Sequence, residues 1–368
     1  MARHPVDEGR FLPRIAGLAG RLARGESCGD GQDLLETEGW FAGYPVGPLR
    51  LVVLRGALWH RDTGLVMTRD GRLPAAPAAE IPPPALARSR RMLHRLRPRR
   101  MGRGALWLPM GAQANYGHFL FDALPGLTAL EETGLSSLYP PVSPALRPWQ
   151  AALARLAGLE HRLRFPPDPV IEFDQLVYAT TLDHYLQRSG ALLLRSFARL
   201  GGRRPSLSGA PLSGAGESLY LSRRGRSARI FLDEAALERG LAARGVRVID
   251  PGRMEPAEQI AAFGRARVVI AASGAALANI PFLPEGARVV EIRPPGMEGA
   301  WTGLTAARFG LDHVIVSAEG LPPGALPLAA RIAQLPRRLA GRYHTAFVAD
   351  PEAIAAAAFD PAAPGREA

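Results

Sequence analysis

The chain has 368 residues, enough for two domains, and its 47% hydrophobic and 21% charged residues exclude general disorder. The formal net charge of +11 is carried by arginine alone, because no lysine occurs. Much Arg together with Ala, Gly and Pro is what a GC-rich genome produces unselected, so the charge alone does not mark a nucleic-acid binder; phosphorylated donors or an anionic membrane fit it equally.

Met1–Arg24 carries Asp7 and Glu8 and lacks a long apolar core, so no signal peptide is read there. Cys28 is the only cysteine, which rules out an internal disulfide and a Cys-rich metal site and points to a reducing compartment. Residues 1–70 read as a short helical start followed by strands, with Leu49–Leu54 the clearest strand. Pro74–Pro84 is an Ala/Pro-rich connector. Arg88–Arg103 holds eight arginines and reads as a solvated helix face or as a contact for phosphate or anionic lipid. Ala105–Pro109 is a short strand, and NYGHFLFDALPGLTAL has helical periodicity through Phe119, Leu120, Ala123, Leu124 and Leu127, perturbed at Pro125. Trp149–Leu159 is a helix, Gln175–Thr180 a strand and Ala191–Leu200 a helix.

Gly201–Ser218 is Gly/Ser/Pro-rich and reads as the linker between domains. Beyond it, strands at Leu219–Ser222, Val246–Ile249, Val268–Ala272 and Val289–Ile292 alternate with helices at Asp233–Arg244, Pro256–Gly264 and Gly274–Phe282. That alternation predicts βαβ units and a parallel, doubly wound sheet. Val268–Leu283 is the most apolar stretch, yet Ser273, Gly274 and Asn279 break it and it is short for a bilayer span. Ile354–Phe359 is a helical tail. The division read is 1–205, an acceptor-side domain; 206–330, a donor-nucleotide domain; and 331–368, a tail packing back on the first.

Open α/β sheets bind ligands beyond the carboxyl ends of their strands. Three places fit. Ser273-Gly274-Ala275 follows a buried strand and lets a ligand approach the backbone, although small residues also serve tight packing. Glu291 ends a strand and is placed to accept two ribose hydroxyls, or else is a capping carboxylate. Arg223 and Arg224 follow the strand LYL and suit a diphosphate, although an Arg pair is common in so Arg-rich a chain. In the first half, His118 and Asp122 stand four apart on one helix face, with Asn115 at a natural N-cap position. A histidine oriented by a carboxylate is a workable general base, and equally an ordinary core pair. No Asp-x-Asp and no His/Cys cluster occurs, so no metal clamp on a diphosphate is expected.

From Leu219 to Pro294 the chain resembles the C-terminal half of glycosyltransferase family 61, a group that includes bacterial capsular polysaccharide biosynthesis proteins. The resemblance rests on the Ser-Arg-Arg start, Arg229 and Glu234 entering the first helix, Glu258-Gln259-Ile260, the turn with Gly274, Ala275 and Asn279, and the final Val-Glu-Ile. NYGHFLFD matches the family's N-terminal Asn-Tyr-x-His-Phe-x-x-Asp and adds Asn115 and Tyr116 on the acceptor side. Ser273 stands where the family usually has His, and Asp233-Glu234 where Asn-Glu is common.

The resemblance implies an α/β, GT-B-like enzyme: two Rossmann-like domains with parallel sheets facing across a cleft. It implies an inverting transfer from a nucleoside-diphosphate sugar to a glycan or lipid-linked acceptor, with no cofactor or metal. Arg223, Arg224, Arg229, Ser273, Gly274, Ala275, Asn279 and Glu291 would hold the donor, and His118 would be the base with Asp122 as its orienting partner. The expected setting is the cytoplasm, at the inner face of the membrane if the arginine run meets anionic lipid. Nucleic acid is not expected as a partner, since no aromatics interleave the arginines. The alternative is a catalytically inactive nucleotide-sugar-binding scaffold, favoured by Ser273.

Overall fold

The computed structural model describes residues 33–35, 39–41, 44–46, 51–62, 64–68, 97–108, 111–179, 190–202, 216–226, 229–297, 301–322, 325–326 and 346–360. Cys28, the connector Pro74–Pro84, Arg88–Leu96 and most of the 201–218 linker lie outside the described residues. Met1–Gly201 and Gly202–Ala368 form two compact units.

In the first unit β4 (Leu51–His60) turns back through Gly64, at φ 69°, into β5 (Leu65–Thr68). So short a connection allows only an antiparallel pair. β4 also runs antiparallel to β1 (Asp33–Leu35) and to β8 (Val170–Ala179), while β6 (Arg99–Leu106) is parallel to both β8 and β7 (Pro141–Val142). The sheet order is β1-β4-β8-β6-β7, with β5 on β4; β2 (Gly39–Phe41) and β3 (Tyr44–Val46) pair separately. The parallel sheet expected of this half is therefore a mixed one. The arginine run also ends differently from its reading as a helix face: from Arg99 onward it is strand. Gly102 and Gly104 disfavour a helix there, and a Cβ on Gly104 would overlap the Phe173 ring, so strand pairing decides.

A turn Tyr116–His118, a π-helical turn Phe119–Ala123 and α1 (Leu124–Glu132) follow one another without a break. Pro125 has no N–H for the residue four before it, and that missing hydrogen bond falls at the start of α1, where the π turn ends. α2 (Leu135–Leu138), α3 (Pro148–Leu156) and α4 (Gly190–Arg199) complete the unit, with α1 packed on α4, where Ser196 Oγ meets Thr128 Oγ1, and with Phe121 of the π turn against Phe197. Ala57, Trp59, Leu106, Ile171 and Phe173 form the core beside the sheet.

The second unit is a five-stranded parallel sheet of order β11-β9-β12-β13-β14. β9 (Glu217–Leu221) is followed by β10 (Ile230–Phe231) and α5 (Glu234–Ala243), then β11 (Arg247–Ile249) and α6 (Pro256–Arg265). β12 (Ala266–Ala272) runs into the short helix expected there, a 3-10 helix over Ala275–Phe282 with Pro281 inside it. β13 (Arg288–Arg293), α7 (Trp301–Arg308), β14 (Asp312–Ser317) and β15 (Glu319–Leu321) follow.

The tail supplies β16 (Ala346–Val348) and α8 (Pro351–Phe359). β16 pairs parallel with β10, and α8 buries Ile354, Ala357 and Ala358 in the same core as Tyr220, Ile270, Val290 and Val316. The described part of the tail thus packs on the second unit, in place of the expected packing on the first. The reason is apolar burial: α8 covers one face of β12, β13 and β14, which would otherwise meet water.

Phe347 is fully buried with its ring 4.8 Å from that of Phe231. Phe347→Ala is expected to lower the unfolding free energy of this unit by about 3–5 kcal/mol, read as an earlier urea midpoint. A change under about 1 kcal/mol would show that the tail does not close the core.

Candidate functional site

The chain leaves β9 outward to β11 and returns past β9 to β12, so the connections leaving β9 and β12 diverge. Such a reversal opens a crevice beyond the carboxyl ends of those two strands. Leu221 and Ala271 are register partners, which brings Ser222-Arg223-Arg224 and Ser273-Gly274 out of the sheet side by side. A Cβ on Gly274 would lie 2.8 Å from Arg223 Nη1 and 3.3 Å from Arg229 Nη2, so the two guanidinium groups stand within about 6 Å of each other. Glycine is required here for room: any larger residue would displace the Arg223 guanidinium.

Arg229 reaches this point from a left-handed backbone, φ 52°, and Asp233 adopts φ 60° at the next turn. Outside glycine such conformations cost about 1–3 kcal/mol and persist only where surrounding structure imposes them. The imposing element here is the β10–β16 pairing, which begins at the residue after Arg229. Arg229 Nη1 also donates to Met297 Sδ at 3.6 Å. Burial, and then the neighbouring Arg229, pulls Arg223 down to about 10, which leaves it charged at neutral pH. Two cations held this close favour an anion between them.

Glu291 has a different place from the one expected. Its side chain is 1% exposed, and its oxygens accept from Ser273 Oγ at 2.6 Å, Arg293 Nη2 at 3.0 Å and Thr302 Oγ1 at 3.3 Å, with His313 Nε2 3.0 Å away. A carboxylate has about four lone-pair sites, and these partners occupy them. The carboxylate therefore holds the β12–β13 end together from beneath and turns no oxygen outward for a ribose. Burial raises its pKa, but hydrogen bonds from His313, Ser273 and Arg293 outweigh that and hold it below 4.5. Ser273 is equally inward, 1% exposed. Arg293 is detectable from sequence as the same-face neighbour of Glu291 on the strand; Thr302 and His313 arrive from α7 and β14, which the periodicity did not reveal.

The other expected donor residues separate. Ala275 opens the 3-10 helix directly after Gly274. Arg224 is exposed and pairs with Glu238 at 3.2 Å. Asn279 is fully buried; its amide donates to Gln259 Oε1 at 2.9 Å, and Gln259 in turn donates to the carbonyl of Pro251 at 2.8 Å. Asn279 thus ties the turn to α6 from a fully buried position.

In the first unit the Asn115 side chain accepts from the N–H groups of Gly117 and His118 at 2.9 and 3.3 Å, so it caps the turn. Tyr116 leans on Trp149 with ring centroids 5.5 Å apart, and Phe119 packs edge-on against Trp107 and Trp149. This aromatic wall fixes the turn. His118 Nδ1 lies 2.7 Å from Asp122 Oδ2, with side chains 24% and 5% exposed. The carboxylate orients the imidazole from the buried side.

A family model described as Glycosyltransferase 61 matches residues 116–290. Over residues 116–290 the chain is similar to glycosyltransferase family 61. The glycosyltransferase 61 region opens at Tyr116, beside the capping Asn115, and closes at Val290, beside Glu291. It spans both the His118–Asp122 pair and the Arg223–Gly274 turn, and supports a transferase. No curated protein matches the chain. No helix among the described residues is long and apolar enough to cross a membrane.

Glu291→Ala would leave Arg293 and His313 beside an empty buried site, so it is expected to cost about 3–5 kcal/mol of stability in urea unfolding. Because the folded pKa lies below the unfolded 4.5, the contribution is full above that pH and lost as pH falls through the folded value. Glu291→Gln should accordingly flatten the acid limb of the stability curve. Unchanged stability in both variants would return Glu291 to a ligand-binding role.

Proposed function

We propose that the chain is an inverting, metal-independent glycosyltransferase that moves a sugar from a nucleoside-diphosphate donor to a glycan or lipid-linked acceptor in polysaccharide biosynthesis. The observation that carries the reading is the convergence of Arg223 and Arg229 on Gly274 at the strand-order reversal. Two planar cations beside an open backbone suit the paired phosphates of a leaving nucleoside diphosphate, whose charge grows as the glycosidic bond breaks. In this reading the units take a GT-B arrangement, with the donor on the second and the acceptor on the first.

The acceptor hydroxyl attacks the anomeric carbon from the face opposite the diphosphate. The new carbon–oxygen bond forms as the bond to the phosphate oxygen breaks, and the hydroxyl proton passes to His118. Asp122 stabilises the imidazolium that results. Arg223 and Arg229 take the charge of the diphosphate, a task a divalent metal performs in other enzymes. The proposed location is the cytoplasmic face of the membrane, with exposed Arg97, Arg99, Arg100 and Arg103 toward anionic lipid.

One observation favours the second reading, an inactive nucleotide-sugar-binding scaffold. Ser273 replaces the histidine usual in the family, and its hydroxyl is committed to Glu291 rather than offered to a phosphate. Turnover separates the two readings, because both retain donor binding.

Thermal shift with the common nucleoside diphosphates is the test. One of them should stabilise the protein, by about 2.7 kcal/mol at a hundredfold excess over Kd, and Arg223→Ala and Arg229→Ala should each weaken binding and reduce the shift. Gly274→Ala should do the same with the melting temperature of the free protein almost unchanged, since its Cβ meets the mobile end of an arginine. His118→Ala should keep the shift and lower kcat by about 10²–10⁴. No stabilisation by any nucleoside diphosphate would overturn the donor assignment; stabilisation without turnover in the wild type would establish the scaffold.

A further inference from the structure

Acidic residues in the first turn of a helix ordinarily serve their own helix, facing its free N–H groups. Glu234, the first residue of α5, does not. Its Oε1 accepts from the backbone N–H of Arg223 at 2.6 Å and from the Tyr220 hydroxyl at 2.9 Å, both belonging to β9 and the loop that leaves it. The side chain is 4% exposed. Burying a carboxyl at a helix start is costly, and burial pushes its pKa up. A surface position would avoid that cost, so the placement calls for a return that helix capping does not supply.

The return is the position of Arg223. The peptide N–H that Glu234 holds is that of the arginine itself, two residues beyond the end of β9, where the ladder no longer fixes the chain. Tyr220, fully buried within β9, offers its hydroxyl to the same carboxyl oxygen and so fixes that oxygen against the sheet. Tyr220, Glu234 and the Arg223 backbone thus form one rigid link from the sheet core to the guanidinium that closes on Gly274. The negative charge of Glu234 also favours the charged form of Arg223, against burial and Arg229.

We propose that Glu234 is a positioning residue for diphosphate binding: it grips the Arg223 peptide N–H and the Tyr220 hydroxyl, and so sets the place at which the Arg223 guanidinium meets a phosphate. This rests on the reading of Arg223, Arg229 and Gly274 as the diphosphate cradle. Glu234 itself touches no ligand.

The test is calorimetric titration of the full chain with inorganic pyrophosphate, in wild type, Glu234→Ala, Glu234→Gln, Arg223→Ala and the double variant Glu234→Ala/Arg223→Ala. Glu234→Ala should weaken binding by about tenfold or more, the loss expected of a misplaced charge-assisted contact. Glu234→Gln keeps an acceptor oxygen in place and should stay within about threefold of wild type, the range of an uncoupled surface change. In the Arg223→Ala background Glu234→Ala should have no further effect, because the two act through one guanidinium. A general loosening of the unit would instead add to the Arg223→Ala loss and would not be rescued by Gln.

Three results overturn the proposal, and they are separable. If wild type does not bind pyrophosphate, or Arg223→Ala binds as well as wild type, the cradle reading falls and takes the proposal with it. If Arg223→Ala loses binding while Glu234→Ala retains it, the cradle stands and the positioning role alone falls. Additive losses in the double variant also refute positioning. Should Glu234→Ala fail to fold, Glu234→Asp withdraws the carboxyl by one methylene and carries the same expectations.

Discussion

Like charges brought together inside a protein repel, and the site in the second unit is arranged around that repulsion. Arg223 and Arg229 are set against one glycine from the two ends of the single connection between β9 and β10. Neither end would choose this unaided: the first is gripped by Glu234, the second is fixed in a left-handed turn by the pairing of β10 with β16. The opposite limb, Ser273-Gly274, is anchored from beneath by Glu291 and its four partners. Each limb thus has a buried carboxylate on its inner side and cationic or backbone groups outward. Preorganised donors of this kind need no rearrangement when charge develops before them.

The first unit follows a different logic. Its His118–Asp122 pair needs only one helical face, but that face lies across a change of helical pitch. A π turn widens the helix locally and is often found at functional sites. Here it lets Pro125 start α1 without an unmade bond inside the helix, while Asn115 and the aromatic wall of Trp107, Phe119 and Trp149 hold the preceding turn.

What the sequence made legible tracks what is local. The βαβ rhythm of the second unit, the four-residue spacing of His118 and Asp122, and the Asn115 cap are all short-range, and all appear in the structure. Glu291 was legible as a strand-end carboxylate but not as a buried one. Its burial is decided by Thr302 and His313, which come from elements that the periodicity did not reveal. The Arg223–Arg229 convergence was equally hidden, because only the register of β9 with β12 places the β9–β10 connection beside Gly274. The mixed first sheet was missed for the same reason: β4 and β8 are more than a hundred residues apart, and nothing in either strand states which way its partner runs. The contact of Asn279 with Gln259 was hidden, because a small polar residue after a glycine turn looks the same in sequence whether it faces outward or into α6.

The β10–β16 pairing also orders events in the life of the molecule. Ile230 and Phe231 wait for a strand made roughly a hundred residues later, and contacts of such long range form late in folding. As the chain emerges during synthesis, β9, β11 and β12 have their neighbours before Arg229 has a fixed place. The meeting of Arg223 and Arg229 at Gly274 is then the last part of its unit to mature. A partly made chain would not bring the two guanidinium groups together before the whole unit stands.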